Sequence, residues 1–384
     1  MNRLQEIIST FENISKDPAN AIKAEMKKTG KKAVGCFPYY TPDEIIYAAG
    51  MLPVGLWGGQ TKISLADRFL QSFCCSLMRE NMELGLIGAY DFLSAIVIPT
   101  YCDTLKFVCE NWKSAVPSSI LIPIVYPQNR KIKPGMDYLV DELKRVQVEL
   151  EKIIGKSITE ADLLESIAVY EEYRRSMRQF TKLANQYPKT LNAKTRHFII
   201  KAAYFSDKKQ YTAMIEELMA EIIKSPKEDF NGLKVVITGI LAEPEPLLDI
   251  FSDNNIFFAA DDLAQESRQF RTCTRSDGTA LEMLAFRISD QNCSLLYDDS
   301  KSRGKLLIDL VKENDANGVV ISMMKFCDPE EFDYPIYKKE LEAAKIPTLY
   351  LEIEQQMDSV EQLRTRIQSF AEMLGMGKAE KVCI

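Results

Sequence analysis

Histidine is almost absent: the 384 residues contain one, His197. That excludes metal sites built from several imidazoles, and any Ser-His or Cys-His machinery that needs a second histidine. If the chain binds a metal, cysteine does it. Phosphate loops are missing as well. No G-x-G-x-x-G or Walker-type run occurs, and the Gly58-Gly59 pair is too little to make one, so ATP or NAD is not held by the usual means. No apolar run approaches the ~18 residues of a membrane span. Basic blocks are lacking too: the net charge is −7, with both signs interspersed. Nucleic acid and anionic membrane are therefore poor partners. The N-terminus, MNRLQEIISTFENISK, has the pattern of an acidic amphipathic helix rather than a signal or transit peptide, so a cytoplasmic location is expected. Close C-x-x-C pairs, the mark of zinc ribbons and ferredoxins, are also absent.

What the chain does have is cysteine, nine in all, at positions 36, 74, 75, 102, 109, 273, 293, 327 and 383. In a reducing cytosol an odd set of this kind is not a disulfide framework. Two of them sit in the same local sentence. Val319–Pro335, VVISMMKFCDPEEFDYP, opens as a buried β-branched strand and breaks into Cys327-Asp328. Ser94–Asp103, SAIVIPTYCD, is again strand, turn, Cys102-Asp103. A thiol just past a parallel strand stands where open α/β sheets place their ligands. Cys36 and the Cys74/Cys75 pair also fall near predicted strand ends or helix starts. Thiolates are soft ligands that suit iron–sulfur clusters and zinc. The bland reading is that free cysteines are small buried hydrophobes. That reading, or plain surface exposure, is preferred for Cys74, Cys109, Cys273, Cys293 and Cys383, whereas the repeated strand–Cys–Asp context favours a ligand role for Cys102 and Cys327.

The length calls for two or three domains. Strands at 32–37, 52–55, 96–98 and 120–125 alternate with helices, one of them through Arg68–Leu86 carrying Cys74 and Cys75. A second helix is expected to be capped by Thr41 with Pro42 at its first position. From Pro134 to about Asp229 only long amphipathic helices are expected. From Gly232 the alternation resumes, with strands at 233–240, 256–260, 318–323 and 348–353 and a last helix at 360–374. The expected architecture is α/β: two Rossmann- or flavodoxin-like doubly wound parallel sheets, at 1–133 and 230–384, with a helical segment at 134–229 between them. A polar stretch at Asp261–Arg271 has two readings of equal weight. It is either a capped helix whose Arg268 and Arg271 pair with local carboxylates, or the polar wall of a cleft formed by Asp261, Asp262, Glu266 and the two arginines.

Five segments carry a family resemblance: Gly35–Gly59 (GCFPYYTPDEIIYAAGMLPVGLWGG), Tyr101–Lys106 (YCDTLK), Asn111–Pro117 (NWKSAVP), Ala260–Thr272 (ADDLAQESRQFRT) and Met323–Pro335 (MMKFCDPEEFDYP). In order, and across nearly the whole chain, they resemble the 2-hydroxyacyl-CoA dehydratases, most closely the β subunit of the 2-hydroxyisocaproyl-CoA dehydratase type. The resemblance implies a heterodimer with a homologous α subunit. It implies a 4Fe–4S cluster held by Cys102, Cys327 and Cys75, the last through a Cys75-to-Arg79 pattern, with Cys36 as a fourth candidate. It further implies an ATP-hydrolysing iron–sulfur activator that delivers one low-potential electron, and an (R)-2-hydroxyacyl-CoA substrate that loses water through a ketyl radical. The β subunit would then be the electron-relay half. Rival readings are a subunit of an ATP-dependent acyl-CoA reductase or a double-cubane reductase, and, more remotely, a scaffold with structural thiols.

Overall fold

The computed structural model describes residues 2–38, 40–291, 300–357 and 359–382, with side chains as far as residue 375. Among the described residues, eight strands form two four-stranded sheets. The first contains β1 (Ala33–Cys36), β2 (Leu52–Gly55), β3 (Ala95–Pro99) and β4 (Leu121–Ile124), in the order β2-β1-β3-β4. The second contains β5 (Leu233–Gly239), β6 (Ile256–Leu263), β7 (Gly318–Met324) and β8 (Thr348–Ile353), in the order β6-β5-β7-β8. Every pairing is parallel. β1, β2, β3 and β7 are buried at every position and read as apolar runs, whereas the edge strands β4 and β8 alternate between buried and part-exposed residues. The expected alternation of strand and helix is what the structure shows.

The same order in both sheets has one consequence. The chain leaves the central strand towards one edge, then crosses back to the other side, so the order reverses between β1 and β3 and again between β5 and β7. A crevice forms outside the carboxyl ends of the strands at such a switch point.

Between the sheets the chain is helical, as expected: Lys133–Ile154, Glu160–Ala184, Ala193–Ala202 and Lys208–Ile222. Their ends follow from capping chemistry. Thr159 and Asp162 form a reciprocal capping box, and Gly155 closes the preceding helix in the left-handed conformation at φ 72°. The N-terminal helix Arg3–Lys16, grouped by sequence with the first sheet, packs on these central helices; Ile7 and Phe11 share a core with Tyr211, Ile199 and Met177. Among the described residues no helix is long and apolar enough to cross a membrane.

Two helix starts differ from expectation. Thr41 does not cap the helix Asp43–Ala48, because its hydroxyl donates to the Phe37 carbonyl at 2.8 Å instead. The helix expected through Arg68–Leu86 is broken: a 3-10 turn at Ala66–Arg68 is followed by irregular chain, and a helix begins only at Ser76. The cause is long-range. Glu83, on that helix, accepts from the amides of Ser64, Leu65 and Ala66 at 3.0, 2.7 and 2.8 Å, and the Asn111 side-chain amide donates to the Phe69 carbonyl at 2.6 Å. Those bonds hold the preceding chain in a loop that helix propensity alone would not choose.

Candidate functional site

The carboxyl ends of both sheets face one cavity. Each lining residue from the first sheet follows a strand: Pro38 after β1, Trp57 after β2, Tyr101 and Cys102 after β3. The second sheet contributes Ile240 after β5, Ala264 after β6, and Phe326 and Cys327 after β7, with Met324 from the end of β7 itself. Cys75, Leu77 and Met78 complete the wall from the start of the helix Ser76–Leu86. The cavity itself is small, about 40 Å³, and most of its surface is apolar. Among the described residues, three thiols meet in it.

The three share a local design. Each is the N-cap residue of a helix: Cys75 before Ser76–Leu86, Cys102 before Asp103–Ala115, Cys327 before Asp328–Ala343. A cap residue lies outside the helical conformation, and the first helical amides point back at its side chain. Here the amide of Met78 faces the Cys75 sulfur, those of Thr104 and Leu105 the Cys102 sulfur, and that of Glu330 the Cys327 sulfur, without closing a cap hydrogen bond. Three helix N-termini therefore aim their positive ends at one apolar cavity. The turn before Cys327 is held open: Phe326 is left-handed at φ 63°, and its amide donates to the Glu331 carboxylate at 3.2 Å.

Burial opposes ionisation at all three positions. It pushes the Cys75 thiol up to about 12 and the Cys102 thiol up to about 11, while burial and then the Glu330 carboxylate push Cys327 well above its usual value. As free nucleophiles they are poor, since a thiolate is the reactive form. A cationic centre reverses this, because a coordinating thiol is deprotonated outright. Among the described residues no group of three or more His, Cys, Asp or Glu side chains could hold one metal ion. A 4Fe–4S cluster makes a different demand, because it takes its cysteines on separate irons. Three soft donors from separate elements, lining one apolar cavity, fit that demand.

The other cysteines go elsewhere. Cys74 is buried beside Thr104 and does not line the cavity, so of the adjacent pair it is Cys75 that faces inward. Cys36 is not brought to the three. It is the last residue of β1, and its sulfur faces back to the Val34 carbonyl at 3.6 Å and to the Asp43 carboxyl, away from the strand ends. Cys109 is buried within a helix and Cys273 is exposed; Cys293 and Cys383 lie outside the described residues.

The polar stretch Asp261–Arg271 resolves towards pairing, though with distant partners as well as local ones. Asp262 receives Arg268 at 3.0 Å, Arg271 at 2.5 Å and Arg303 at 3.2 Å. Asp261 and Glu266 are both bound by Arg196. His197 stands between Glu243, at 3.2 Å, and Glu266, at 3.5 Å. Burial alone would lower its pKa, but the bonds to the two carboxylates outweigh that and raise it. The lone histidine is a core ion-pair member.

Most of the cavity wall lies inside the quoted family segments, but the sequence assigned no role to Trp57, Tyr101 or Ala264, and Ile240 lies in none of them; their common signal is that each follows the end of an apolar strand.

A match to the family described as "2-hydroxyglutaryl-CoA dehydratase, D-component" spans residues 38–374. The chain belongs to this family. It is 42% identical over 374 residues to the (R)-phenyllactyl-CoA dehydratase beta subunit of Clostridium sporogenes, covering 97% of this chain and 100% of the relative. To the lactoyl-CoA dehydratase beta subunit of Anaerotignum propionicum it is 43% identical, with the same coverage. A benzoyl-CoA reductase subunit of Thauera aromatica is more distant, 27% identical over 90% of this chain and 91% of the relative. The two nearer of these relatives are named as dehydratases, which are hydro-lyases, and as subunits of larger enzymes.

Proposed function

We propose that the chain is the β subunit of an (R)-2-hydroxyacyl-CoA dehydratase and holds a 4Fe–4S cluster through Cys75, Cys102 and Cys327. The observation that carries this reading is the meeting of three N-cap thiols from both sheets in one apolar cavity. Family membership supports it, as do beta-subunit relatives above 40% identity over their full length.

A bound cluster supplies one-electron transfer at low potential, here for ketyl-radical elimination of water to give a 2-enoyl-CoA. The chain's own residues supply the setting. Cys75, Cys102 and Cys327 are the donors, the amides of Met78, Thr104, Leu105 and Glu330 offset their negative charge, and Trp57, Tyr101, Ile240 and Met324 keep water from the sulfurs. Cys36 is left out of the ligand set. The partners in this reading are a homologous α subunit, which binds the substrate, and an ATP-hydrolysing iron–sulfur activator, which delivers the electron. The resemblance to a benzoyl-CoA reductase subunit is a second reading, weaker by identity.

The test is anaerobic co-purification with the α subunit, followed by iron and acid-labile sulfide analysis. About four irons and four sulfides per chain are expected. The Cys75→Ala, Cys102→Ala and Cys327→Ala variants should lose iron while keeping their helix content, and Cys36→Ala should retain it. A colourless, iron-free wild-type chain after strictly anaerobic handling would overturn the proposal. Loss of iron in Cys36→Ala would restore that residue to the ligand set. Loaded protein that reduces its acyl-CoA instead of dehydrating it would favour the reductase reading.

A further inference from the structure

The polar stretch Asp261–Arg271 and the acidic run Asp328–Glu331 that follows Cys327 are tied together in the structure, beside the thiol site. Arg268 bonds Asp262 with Nε at 3.1 Å and Nη2 at 3.0 Å, and reaches Glu330 with Nη1 at 2.8 Å. Arg303 bonds the same Glu330 at 2.7 and 3.0 Å and stands 3.2 Å from Asp262. Arg271 adds a further bond to Asp262 at 2.5 Å. Three guanidiniums thus face two carboxylates, and of the five side chains only Arg271 has appreciable exposure. The set is anchored to the site by Glu330, the third residue of the helix that begins after Cys327, whose carboxylate and amide both act electrostatically on the Cys327 sulfur.

Sealed ion networks are seldom a net source of stability, because desolvation offsets most of the attraction. Their charge, however, acts over distance when water is excluded. Electron uptake makes a cluster more negative, so nearby fixed charge changes how readily the electron is held. A buried guanidinium close by favours the reduced state and a carboxylate in the same place opposes it.

Building on the cluster reading above, we infer that Glu330, with Arg268 and Arg303, is a positioning set that fixes the electron affinity of the three-thiol site through buried charge. Removing the Glu330 charge raises the midpoint potential, and removing the Arg303 charge lowers it. The expected size is about tenfold in the electron-uptake equilibrium, or about 59 mV for a one-electron couple. A unit charge acting over about 10 Å at an effective dielectric of about 20 has an effect of this order.

The experiment is a titanium(III) citrate titration of the anaerobically loaded protein with its α subunit, followed by electron paramagnetic resonance at fixed pH. It compares wild type, Glu330→Gln, Arg303→Gln and the double variant, each checked for iron content and circular dichroism. Opposite shifts in the single variants, with the double variant between them, are the expected result. The double variant removes one charge of each sign, so it and Arg303→Gln carry the test if Glu330→Gln does not fold. Loaded variants whose potentials do not move, or move in the same direction, would overturn the inference while leaving the cluster reading intact. A wild-type chain without iron would instead sink the cluster reading, and this inference with it.

Discussion

Asp262 is the hub of the buried ion network, and replacing it by asparagine tests how that network acts on stability. Its carboxylate is fully buried, touches three guanidiniums and accepts the Thr238 hydroxyl at 2.9 Å. Burial alone would raise its pKa, but Arg268, Arg271 and Arg303 hold it far below the usual carboxylate range. The asparagine side chain keeps the shape and loses the charge, leaving Arg268 and Arg303 to share Glu330 in a sealed site. Breaking a buried pair in this way costs about 3–5 kcal/mol. At ~2.1 cal/mol/K of unfolding entropy per residue, the 384 residues give about 0.8 kcal/mol/K, so the melting temperature should fall by about 4–6 °C. The assay is thermal unfolding of Asp262→Asn beside Asp137→Asn, whose pair with Lys133 is exposed and should contribute less than about 1 kcal/mol. The depressed folded-state pKa also sets a pH signature. The contribution is fully present above the unfolded carboxylate pKa of about 3.9 and is lost as pH falls below it. A drop at neutral pH no larger than that of Asp137→Asn would refute the reasoning.

Two further predictions concern the frame of the site. Glu80 is fully buried with no hydrogen-bond partner for Oε1, and burial raises its pKa to about 8. The folded state therefore binds its proton more tightly than the unfolded chain, and stability declines as pH rises from about 4.3 to about 8. Glu80→Gln should gain on wild type in melting temperature over that window and run parallel above it; a constant difference across pH would contradict the assignment. Gly239 ends β5 at φ 142°, and a Cβ there would run into the Ser322 carbonyl of β7. Gly239→Ala should cost more than about 1 kcal/mol in urea unfolding and reduce iron uptake, because β7 leads into Cys327. Wild-type stability in that variant would show that the strands can part without cost.

The strands were legible because a parallel sheet covered on both faces leaves the plainest pattern there is, short β-branched runs between turns. Leu52–Gly55 and Thr348–Ile353 stand where the pattern placed them. Cys102 and Cys327 were legible for the same reason, since each follows such a run closely. Cys75 was harder. Its family motif pointed to it, but its helix was expected to start earlier, and only the bonds from Glu83 and Asn111 break the chain so that Cys75 becomes a cap. The paired nature of Asp261–Arg271 was half legible. Arg268 to Asp262 is a local pair that spacing suggests, whereas Arg268 to Glu330 joins segments far apart in the chain.

The sequence by itself determined the class of fold, the exclusion of histidine chemistry and phosphate loops, the family, and two strand–Cys–Asp units. It could do so because these are properties of composition or of a few neighbouring residues. Only the tertiary structure decided that the two sheets turn their carboxyl ends to one cavity, that Cys75 joins Cys102 and Cys327 there, and that Cys36 does not. The physical reason is that a side chain's direction at a strand end depends on the pleat and on what packs against it. Cys36 closes β1 with its sulfur turned back to Asp43, whereas the other three, each at a helix N-cap, stand at the heads of helices that converge on the cavity.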